Sequence, residues 1–277
     1  MIKDKLYFFS DFHLGMPPGD ESIDREKVIV SILKKISSDA RAVFFVGDIF
    51  DFWFEYKEVV PKGYFRLFTA ITELTHSGVS VYLFPGNHDL WYRDYLVNQC
   101  GVVLISGPME FYFAGSKFHV HHGDGLGPGD KKYKLLKRVF LSKISVFFFK
   151  WLHPDIGISL ARYLSSKSRL SQKDQEQYLG DDKEFLTQYC KDISAKKTSI
   201  STHYSKNDLT IQLVENNNDV VNYFVFGHRH LLLTINIGDS SKYINLGHWL
   251  KNPRYGVFDG KEFLLVDAKE ESSHRVR

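Results

Sequence analysis

The sequence has little cysteine and no apolar run long enough to cross a membrane. Its 277 residues include only two cysteines, Cys100 and Cys190, which excludes a disulfide-rich scaffold and predicts that both are packing residues. The start of the chain lacks the features of a signal peptide, so we expect reduced thiols and a cytosolic protein. The longest apolar stretch of its most aromatic part, residues 144–149, is far short of the roughly 20 residues that span a bilayer.

A strong excess of either charge is also absent. Lysine and arginine number 36 against 33 acidic residues, which gives a formal net charge of +3. This balance is too even to indicate a nucleic-acid partner, and we expect none. The hydrophobic share of 43% is ample for a large core, so one domain with an insertion is the expected organisation.

Apolar runs that alternate with amphipathic segments predict the fold. Strands are predicted in KLYFFSDFH, AVFFVGDIFD and VSVYLFPGNHD, with helices over DREKVIVSILKKIS and residues 62–77. Two further strands are predicted around a turn at 114–116, and a meander of short strands ends the chain. The prediction is an α/β fold with a layered β-sandwich core flanked by helices, whose ligands bind beyond the strand ends.

Residues from about 131 to 190 interrupt this pattern with a basic, aromatic, helical stretch. We interpret the stretch as a helical cap inserted into a single domain that covers residues 1–277. No oligomeric state follows from the sequence.

Side chains that bind metals follow the predicted strands. In chain order they are Asp11, His13, Asp48, Asp51, Asn87, His88, Asp89, His122, His228 and His230. Carboxylate, imidazole and amide donors suit Mn²⁺, Fe²⁺ or Zn²⁺, and no thiolate is offered among them. Alternate side chains of an extended segment share a face, so Asp11 and His13 can bind one ion together. These residue types predict a site for two metals.

The residues form the motifs DxH, GDxxD, GNHD, a later histidine and GHxH, in that order. This pattern resembles the calcineurin-like metallophosphoesterase family over residues 1 to about 250. The resemblance implies two divalent ions, with Mn²⁺ the expected metal and Fe²⁺ or Zn²⁺ as alternatives. The implied ligands are Asp11, His13, Asp48 and His230 for one ion, and Asp48, Asn87, His122 and His228 for the other.

The resemblance also implies individual roles. Asp48 would bridge the two ions, His88 would face the substrate phosphate, and these two are the predicted catalytic residues. Asp51 and Asp89 would orient ligands. Two cations about 3.5–4 Å apart lower the pKa of a water molecule for attack on phosphorus, and general acid catalysis by His88 would contribute roughly 10²–10⁴-fold.

Aromatic residues near the second motif and in the cap bear on the substrate. Trp53 and Phe54 follow Asp48 closely and are predicted to line the mouth of the site. In the cap, Phe147 and Phe148 lie among lysines, a composition that suits a membrane surface. The alternative to membrane contact is a lid whose aromatic side chains pack on the main domain. An apolar cap would suit a substrate with acyl chains beside its phosphate.

Within the family, the segments GDIFDFW, HGDGLGPGD and LARYLSSKSR resemble the UDP-2,3-diacylglucosamine hydrolases of lipid A synthesis. The resemblance implies a lipid-linked nucleotide substrate, cleaved to UMP and 2,3-diacylglucosamine 1-phosphate at the inner surface of the cytoplasmic membrane. Asp130, Lys167 and Arg169 are predicted to bind its polar part, with a solvated helix end as the alternative. The best-known hydrolases of this group carry arginine where this chain has His88, a departure that leaves wider chemistry open.

Three functions therefore stand beside one another. The first is a lipid-nucleotide pyrophosphatase peripheral to the membrane. The second is a general phosphodiesterase or phosphatase that acts on a small phosphoester or nucleotide. The third is a non-catalytic membrane module anchored by the cap, against which the complete set of metal ligands argues.

Overall fold

Two β-sheets that pack face to face form the centre of the protein in a computed structural model. The structure describes residues 3–128, 131–172, 178, 180, 183–195, 203–204, 212–213 and 220–269. The described strands are β1 (Lys5–Phe9), β2 (Ala40–Val46), β3 (Ser80–Phe84), β4 (Val103–Ser106), β5 (Met109–Phe113), β6 (Ser116–Val120), β7 (His203–Tyr204), β8 (Gln212–Leu213), β9 (Tyr223–Phe226), β10 (Leu232–Ile237), β11 (Ser241–Leu246), β12 (Arg254–Phe258) and β13 (Phe263–Asp267). The described helices are α1 (Asp20–Ile36), α2 (Phe65–His76), α3 (Tyr95–Cys100), α4 (Lys131–Leu141), α5 (Lys143–Trp151), α6 (Pro154–Gln172) and α7 (Phe185–Ser194).

The first sheet has the strand order β13-β12-β1-β2-β3-β4-β7 and the second β10-β11-β9-β6-β5-β8. Strands β1 to β4 run parallel to one another, as do β6, β9 and β11. Parallel neighbours end at the same edge of a sheet, so the loops that follow β1, β2 and β3 are brought together. The loops that follow β6 and β9 are brought together in the same way.

Stacked aromatic rings fill the space between the sheets. The ring of Phe44 on β2 stacks on Phe8 at 4.7 Å, on Tyr82 at 4.9 Å and, across the interface, on Phe111 at 5.0 Å. All of these side chains are buried. Because successive residues of a strand point to opposite faces, the alternate side chains of the same strands face the helices instead.

Helices cover the outer faces of both sheets. Helix α1 buries Ile29, Ile32, Leu33 and Ile36, whose spacing is that of one helical face, and they join a cluster with α2, α3 and the first sheet. Helix α7 packs against the second sheet, where Leu186, Cys190 and Ile193 meet residues of β9, β10 and β11. The layers therefore run helix, sheet, sheet, helix, and the predicted fold class is confirmed.

The structure also corrects and refines details of the prediction. The closing strands are not one meander, because β10 and β11 belong to the second sheet while β12 and β13 belong to the first. Both cysteines are free and buried, as expected. Helices α4 to α6 present many exposed apolar side chains, whereas α7, which begins inside the predicted cap range, is part of the packed core. No helix in the described part of the chain is long and apolar enough to cross a membrane.

We expect Phe44→Ala to lower the free energy of unfolding by about 3–5 kcal/mol, because it leaves a cavity at the centre of the ring stack. The measurement is urea denaturation followed by circular dichroism. Phe65→Ala is the matched control, since Phe65 is 63% exposed and its loss should cost less than about 0.5 kcal/mol. Equal losses for the two variants would contradict the assignment of Phe44 to the central core.

Candidate metal centre

The predicted metal ligands lie on loops that begin at the carboxyl ends of five strands. Asp11 and His13 follow β1, Asp48 follows β2 and Asn87 follows β3, all in the first sheet. His122 follows β6, and His228 and His230 follow β9, in the second sheet. Because the strands of each set run parallel, their carboxyl ends lie at the same edge of each sheet. The polar side chains that follow these strands therefore lie close together.

Asp11, His13, Asp48 and His230 form the first donor group, with one ligand atom of each within 4.8 Å of the others. The Nε2 atoms of His13 and His230 are 3.2 Å apart, and His230 Nε2 is 3.2 Å from Asp11 Oδ1. Two ligands that each lie about 2.1 Å from one ion are separated by roughly 3.0–3.4 Å. The closest spacings in this group match that separation.

The second donor group consists of Asp48, Asn87, His122 and His228. Asn87 Oδ1 is 3.1 Å from His122 Nε2 and 2.8 Å from His228 Nδ1. Asp48 Oδ2 lies 3.4 Å from His122 Nε2 and 3.7 Å from His13 Nε2, so it is close to both groups. The structure thus brings together all seven side chains that the sequence predicts as ligands, with Asp48 between the two sets.

Each central carboxylate has one oxygen held by donors of the protein. Asp48 Oδ1 accepts a hydrogen bond from the backbone N–H of His88 at 2.9 Å. Asp11 Oδ2 accepts from the backbone N–H of His228 at 3.1 Å and from the Ser10 hydroxyl at 2.5 Å. The second oxygen of each carboxylate is the one that faces the histidines. This arrangement fixes the direction of the metal-facing oxygen before any ion binds.

The tautomer of one histidine is fixed in the same way. His122 Nδ1 is 2.8 Å from the carbonyl oxygen of Val46. Because a carbonyl only accepts, Nδ1 carries the proton, and Nε2 is the nitrogen turned toward Asp48 and Asn87.

The electrostatics of the two donor groups favour positive charge. Burial alone would raise the pKa of Asp48, but the neighbouring His122, His88 and His13 hold it well below its usual range. Burial alone would lower the pKa of His122, yet chiefly the Asp48 carboxylate raises it to about 10. A divalent cation would satisfy the same demand in place of the proton. The donor set, its spacing and its charge all fit two divalent ions.

Several of these residues have an unusual backbone conformation. Asp11, His13, Asp48, His228 and His230 all have φ between 46° and 67°, in the left-handed region. Such a conformation costs a residue other than glycine roughly 1–2 kcal/mol. Backbone hydrogen bonds hold the turns in place, among them Asp11 N–H to Gly47 O at 3.1 Å and His13 N–H to Asp48 O at 3.0 Å. Strain of this kind concentrates at functional sites.

Asp89 holds the loops around Asp48 together through hydrogen bonds to their backbone. Its carboxylate accepts hydrogen bonds from the backbone N–H groups of Asp48, Ile49, Phe50 and Gly86 and from the Tyr92 hydroxyl. Burial, reinforced by the Asp48 charge, raises its pKa to about 6. Asp89 thus joins the loop after β2 to the loop after β3, in keeping with the predicted orienting role.

Two glycines are required by close approach. A methyl group on Gly47 would meet the His122 ring at 2.5–2.6 Å, and one on Gly86 would overlap the backbone nitrogen and carboxylate of Asp48. Any larger residue at either position would push a predicted ligand out of place.

His88 lies beside the first donor group, with its ring edge-on to His13 at 4.8 Å. The nitrogen Nδ1 of His88 contacts the Asp51 backbone oxygen at 3.2 Å and the hydroxyl of Ser165, on cap helix α6, at 2.9 Å. Sequence reasoning did not identify Ser165, because a contact across 77 residues leaves no periodic or motif signal. His13, Asp51 and His88 also form a smaller donor cluster, but the carbonyl and hydroxyl already engage the His88 nitrogen in it.

The predicted positions of two aromatic residues need correction. Trp53 and Phe54 do not line the mouth of the site, since both side chains are 0% exposed. Trp53 stacks on Phe50 at 4.6 Å and donates its indole N–H to Glu55 at 3.1 Å. Phe54 contacts the ring of Phe149, a cap residue, at 4.7 Å. They belong to the core and to the contact between the main domain and the cap, because burial removes their large apolar rings from water.

The remaining predicted substrate residues lie in or near the cap. Phe147 and Phe148 are 55% and 67% exposed. Lys167 and Arg169 fall in the second half of α6, and Asp130 lies outside the described residues. The cap is joined to the HGD motif by Asp124, which accepts hydrogen bonds from Tyr133 at 2.6 Å and Lys137 at 2.5 Å.

Comparisons with known proteins point to one family. A family model described as calcineurin-like phosphoesterase matches residues 5–232. A relative from Porphyromonas gingivalis, named UDP-2,3-diacylglucosamine hydrolase, is 30% identical over 97% of this chain and 99% of its own. One of the same name from Pseudomonas fluorescens is 29% identical over 59% of this chain and 64% of its own.

Among solved structures, Yfce, a phosphoesterase from E. coli, is 14% identical, with a TM-score of 0.43 over 96% of this chain and 94% of its own. That likeness is too distant to support an inference.

We expect Asp48→Ala to lose both metal ions and His230→Gln to lose only one. Asp48 Oδ2 faces both donor groups, whereas His230 is a member of the first. The measurement is metal content per chain by inductively coupled plasma mass spectrometry after loading with Mn²⁺ and desalting. Asp155→Ala is the control, because its side chain is 90% exposed. Two ions retained by Asp48→Ala would rule out a bridging role.

Proposed function

The chain belongs to the calcineurin-like phosphoesterase family and is a metal-dependent phosphoesterase, and we propose that its substrate is UDP-2,3-diacylglucosamine. In this reaction one water molecule is added across the pyrophosphate. The bond between the uridine-side phosphorus and the bridging oxygen breaks, which releases UMP and 2,3-diacylglucosamine 1-phosphate. Mn²⁺ is the proposed metal at both positions.

The main support for this proposal is the contact between the apolar cap and His88, the histidine beside the first donor group. Ser165 of α6 touches His88, so the cap adjoins the place where a phosphate would react. Of the nineteen exposed large apolar side chains in the described part of the chain, twelve lie between Leu135 and Leu164. A substrate with acyl chains beside its phosphate fits a polar centre next to an apolar surface. The P. gingivalis relative, matched over nearly its whole length, supports the same assignment.

The protein side chains have distinct parts in the proposed reaction. When bound, two divalent ions would supply Lewis-acid stabilisation of the phosphoryl oxygens and a water of lowered pKa. Asp11, His13, Asp48 and His230 would hold one ion, and Asp48, Asn87, His122 and His228 the other. His88, with Nδ1 engaged by Asp51 and Ser165, would present Nε2 to a phosphate oxygen. An anhydride leaves without strong protonation, so a hydrogen bond from Nε2–H of the doubly protonated His88 ring suffices.

We also propose that the cap rests on the inner surface of the cytoplasmic membrane. Helix α5 exposes Ile144, Phe147, Phe148 and Trp151, which share one face because they recur at helical spacing. Lys143 and Lys150 lie at the two ends of this helix. A short helix with an apolar face and basic neighbours lies in the plane of an anionic bilayer. The protein would then take its substrate from the membrane while it remains on the cytoplasmic side.

The second candidate is a general phosphodiesterase, and His88 favours it. An imidazole can donate a proton to an alkoxide leaving group, which a simple phosphoester requires and an anhydride does not.

The test is Mn²⁺-dependent release of UMP from UDP-2,3-diacylglucosamine, measured beside UDP-N-acetylglucosamine and bis-p-nitrophenyl phosphate. The proposal expects the diacylated substrate to have the highest kcat/KM by at least about 100-fold, since each acyl chain adds roughly 0.8 kcal/mol per buried methylene. Comparable or faster hydrolysis of the simple ester would favour the second candidate.

We expect the double variant Phe147→Ser with Phe148→Ser to raise KM for the diacylated substrate at least about 10-fold, because each lost ring removes roughly 1.5–3 kcal/mol of apolar contact. Turnover of bis-p-nitrophenyl phosphate should not change. Phe65→Ser, an exposed phenylalanine on α2, is the control. An equal loss on both substrates would indicate a folding defect and remove the support for acyl binding at these residues.

A further inference from the structure

One side chain of the cap makes a direct hydrogen-bonded contact with the predicted catalytic histidine. The hydroxyl oxygen of Ser165 is 2.9 Å from His88 Nδ1 and 3.4 Å from Asp51 Oδ1. Ser165 belongs to α6, whereas His88 and Asp51 belong to the loops after β3 and β2. The cap therefore reaches the centre through a polar atom as well as through apolar packing.

The neighbouring carbonyl decides the direction of these hydrogen bonds. His88 Nδ1 is 3.2 Å from the backbone oxygen of Asp51, which can only accept. Nδ1 must then carry the proton, so the oxygen of Ser165 accepts from the same N–H. The hydroxyl proton of Ser165 is left to point toward the Asp51 carboxylate. His88 Nδ1–H thus donates to Ser165 Oγ, and the Ser165 hydroxyl donates to Asp51 Oδ1.

This order leaves a single ring nitrogen for the substrate. Nδ1 is engaged on the protein side by Asp51 and Ser165, and the imidazole is only 7% exposed. Nε2 is the remaining polar atom of the ring. A histidine with one nitrogen held in this way has a defined tautomer and a defined ring rotation.

Aromatic packing fixes where Ser165 stands. The ring of Phe149 on α5 packs against Phe54 at 4.7 Å and Trp91 at 5.6 Å, both on the main domain. Gly157, at the start of α6, allows that helix to approach Phe149 and Tyr56, because a methyl group there would meet the Phe149 ring at 3.2–3.3 Å. The position of α6, and with it that of Ser165, thus depends on the packing of Phe149 against Phe54 and Trp91, which we call the seat of the cap.

We propose that Ser165 is a positioning residue that couples the seating of the cap to the tautomer and orientation of His88. The inference rests on the proposed phosphoester hydrolysis at this centre, but not on the lipid nature of the substrate. With the cap seated, Ser165 helps to hold a proton on Nδ1 and fixes the rotation of the ring, so that Nε2 points to the phosphate; the ring donates from Nε2 to a phosphate oxygen when it carries both protons. When the cap is displaced, His88 loses the Ser165 contact and keeps Asp51 as its partner at Nδ1.

The experiment compares Ser165→Ala, Ser165→Thr and Ser159→Ala, each loaded with Mn²⁺ and assayed on bis-p-nitrophenyl phosphate. Outer contacts of this kind typically contribute 10–100-fold, so we expect kcat of Ser165→Ala to fall roughly 10-fold with KM within about twofold. The threonine variant keeps the hydroxyl and should recover most of the activity. Ser159, exposed on the same helix, is the matched control and should have no effect.

A second readout follows the imidazole itself. Long-range ¹H–¹⁵N spectra of histidine-labelled, metal-free protein, with His88 assigned through His88→Gln, should show the Nδ1–H tautomer in the wild type and in Ser165→Thr. Ser165→Ala should move the His88 nitrogen shifts toward a mixture of tautomers.

Unchanged kcat and unchanged His88 shifts in Ser165→Ala would overturn the proposal. So would a change confined to KM, which would assign Ser165 to substrate contact. If UDP-2,3-diacylglucosamine is not hydrolysed, the lipid assignment fails, while the comparison of the serine variants on the simple ester retains its meaning.

Discussion

The Asp48 carboxylate is the interaction on which the centre depends. One of its oxygens is fixed by the His88 N–H, and the other lies between His122 and His13. A buried carboxylate is costly unless positive charge or hydrogen bonds surround it. Here the surrounding groups are imidazoles delivered by two different sheets, so packing of the sheets and assembly of the site are one event. Disturbing the sheet interface would separate His122, on the second sheet, from the Asp48 carboxylate on the first.

The cap has two faces with different duties. Toward the main domain, Phe149 packs among aromatic rings and Ser165 contacts His88. Away from it, Phe148 and Trp151 are largely exposed. A helix that is apolar on both sides has to be covered on both sides or exposed to something other than water. The second face is where an acyl chain or a lipid surface would be accommodated, and its separation from the seat lets lipid contact vary without changing the core.

The sequence predicted the grouping of the candidate metal ligands better than the structure around them, for physical reasons. Ligand types are set by metal chemistry and their order by the succession of strands, so both can be read from the chain. The closing strands were assigned to one meander because local pattern does not say which sheet a strand joins. Trp53 is buried and does not line the mouth of the site, because proximity in sequence to a ligand does not imply exposure. Ser165 was not identified because its partner is distant in the chain.

The left-handed backbone conformation of the predicted ligands has to be held by buried hydrogen bonds around them. Strained residues persist only where the neighbouring structure over-determines their conformation. Asp89 supplies part of that constraint through its hydrogen bonds to four backbone N–H groups, and its raised pKa indicates that its own charge is held at a cost. The Asp89 carboxylate is thus held in an unfavourable buried environment, and its hydrogen bonds fix the backbone at Asp48. Because a bound cation would stabilise both carboxylates, metal binding and loop rigidity should rise together.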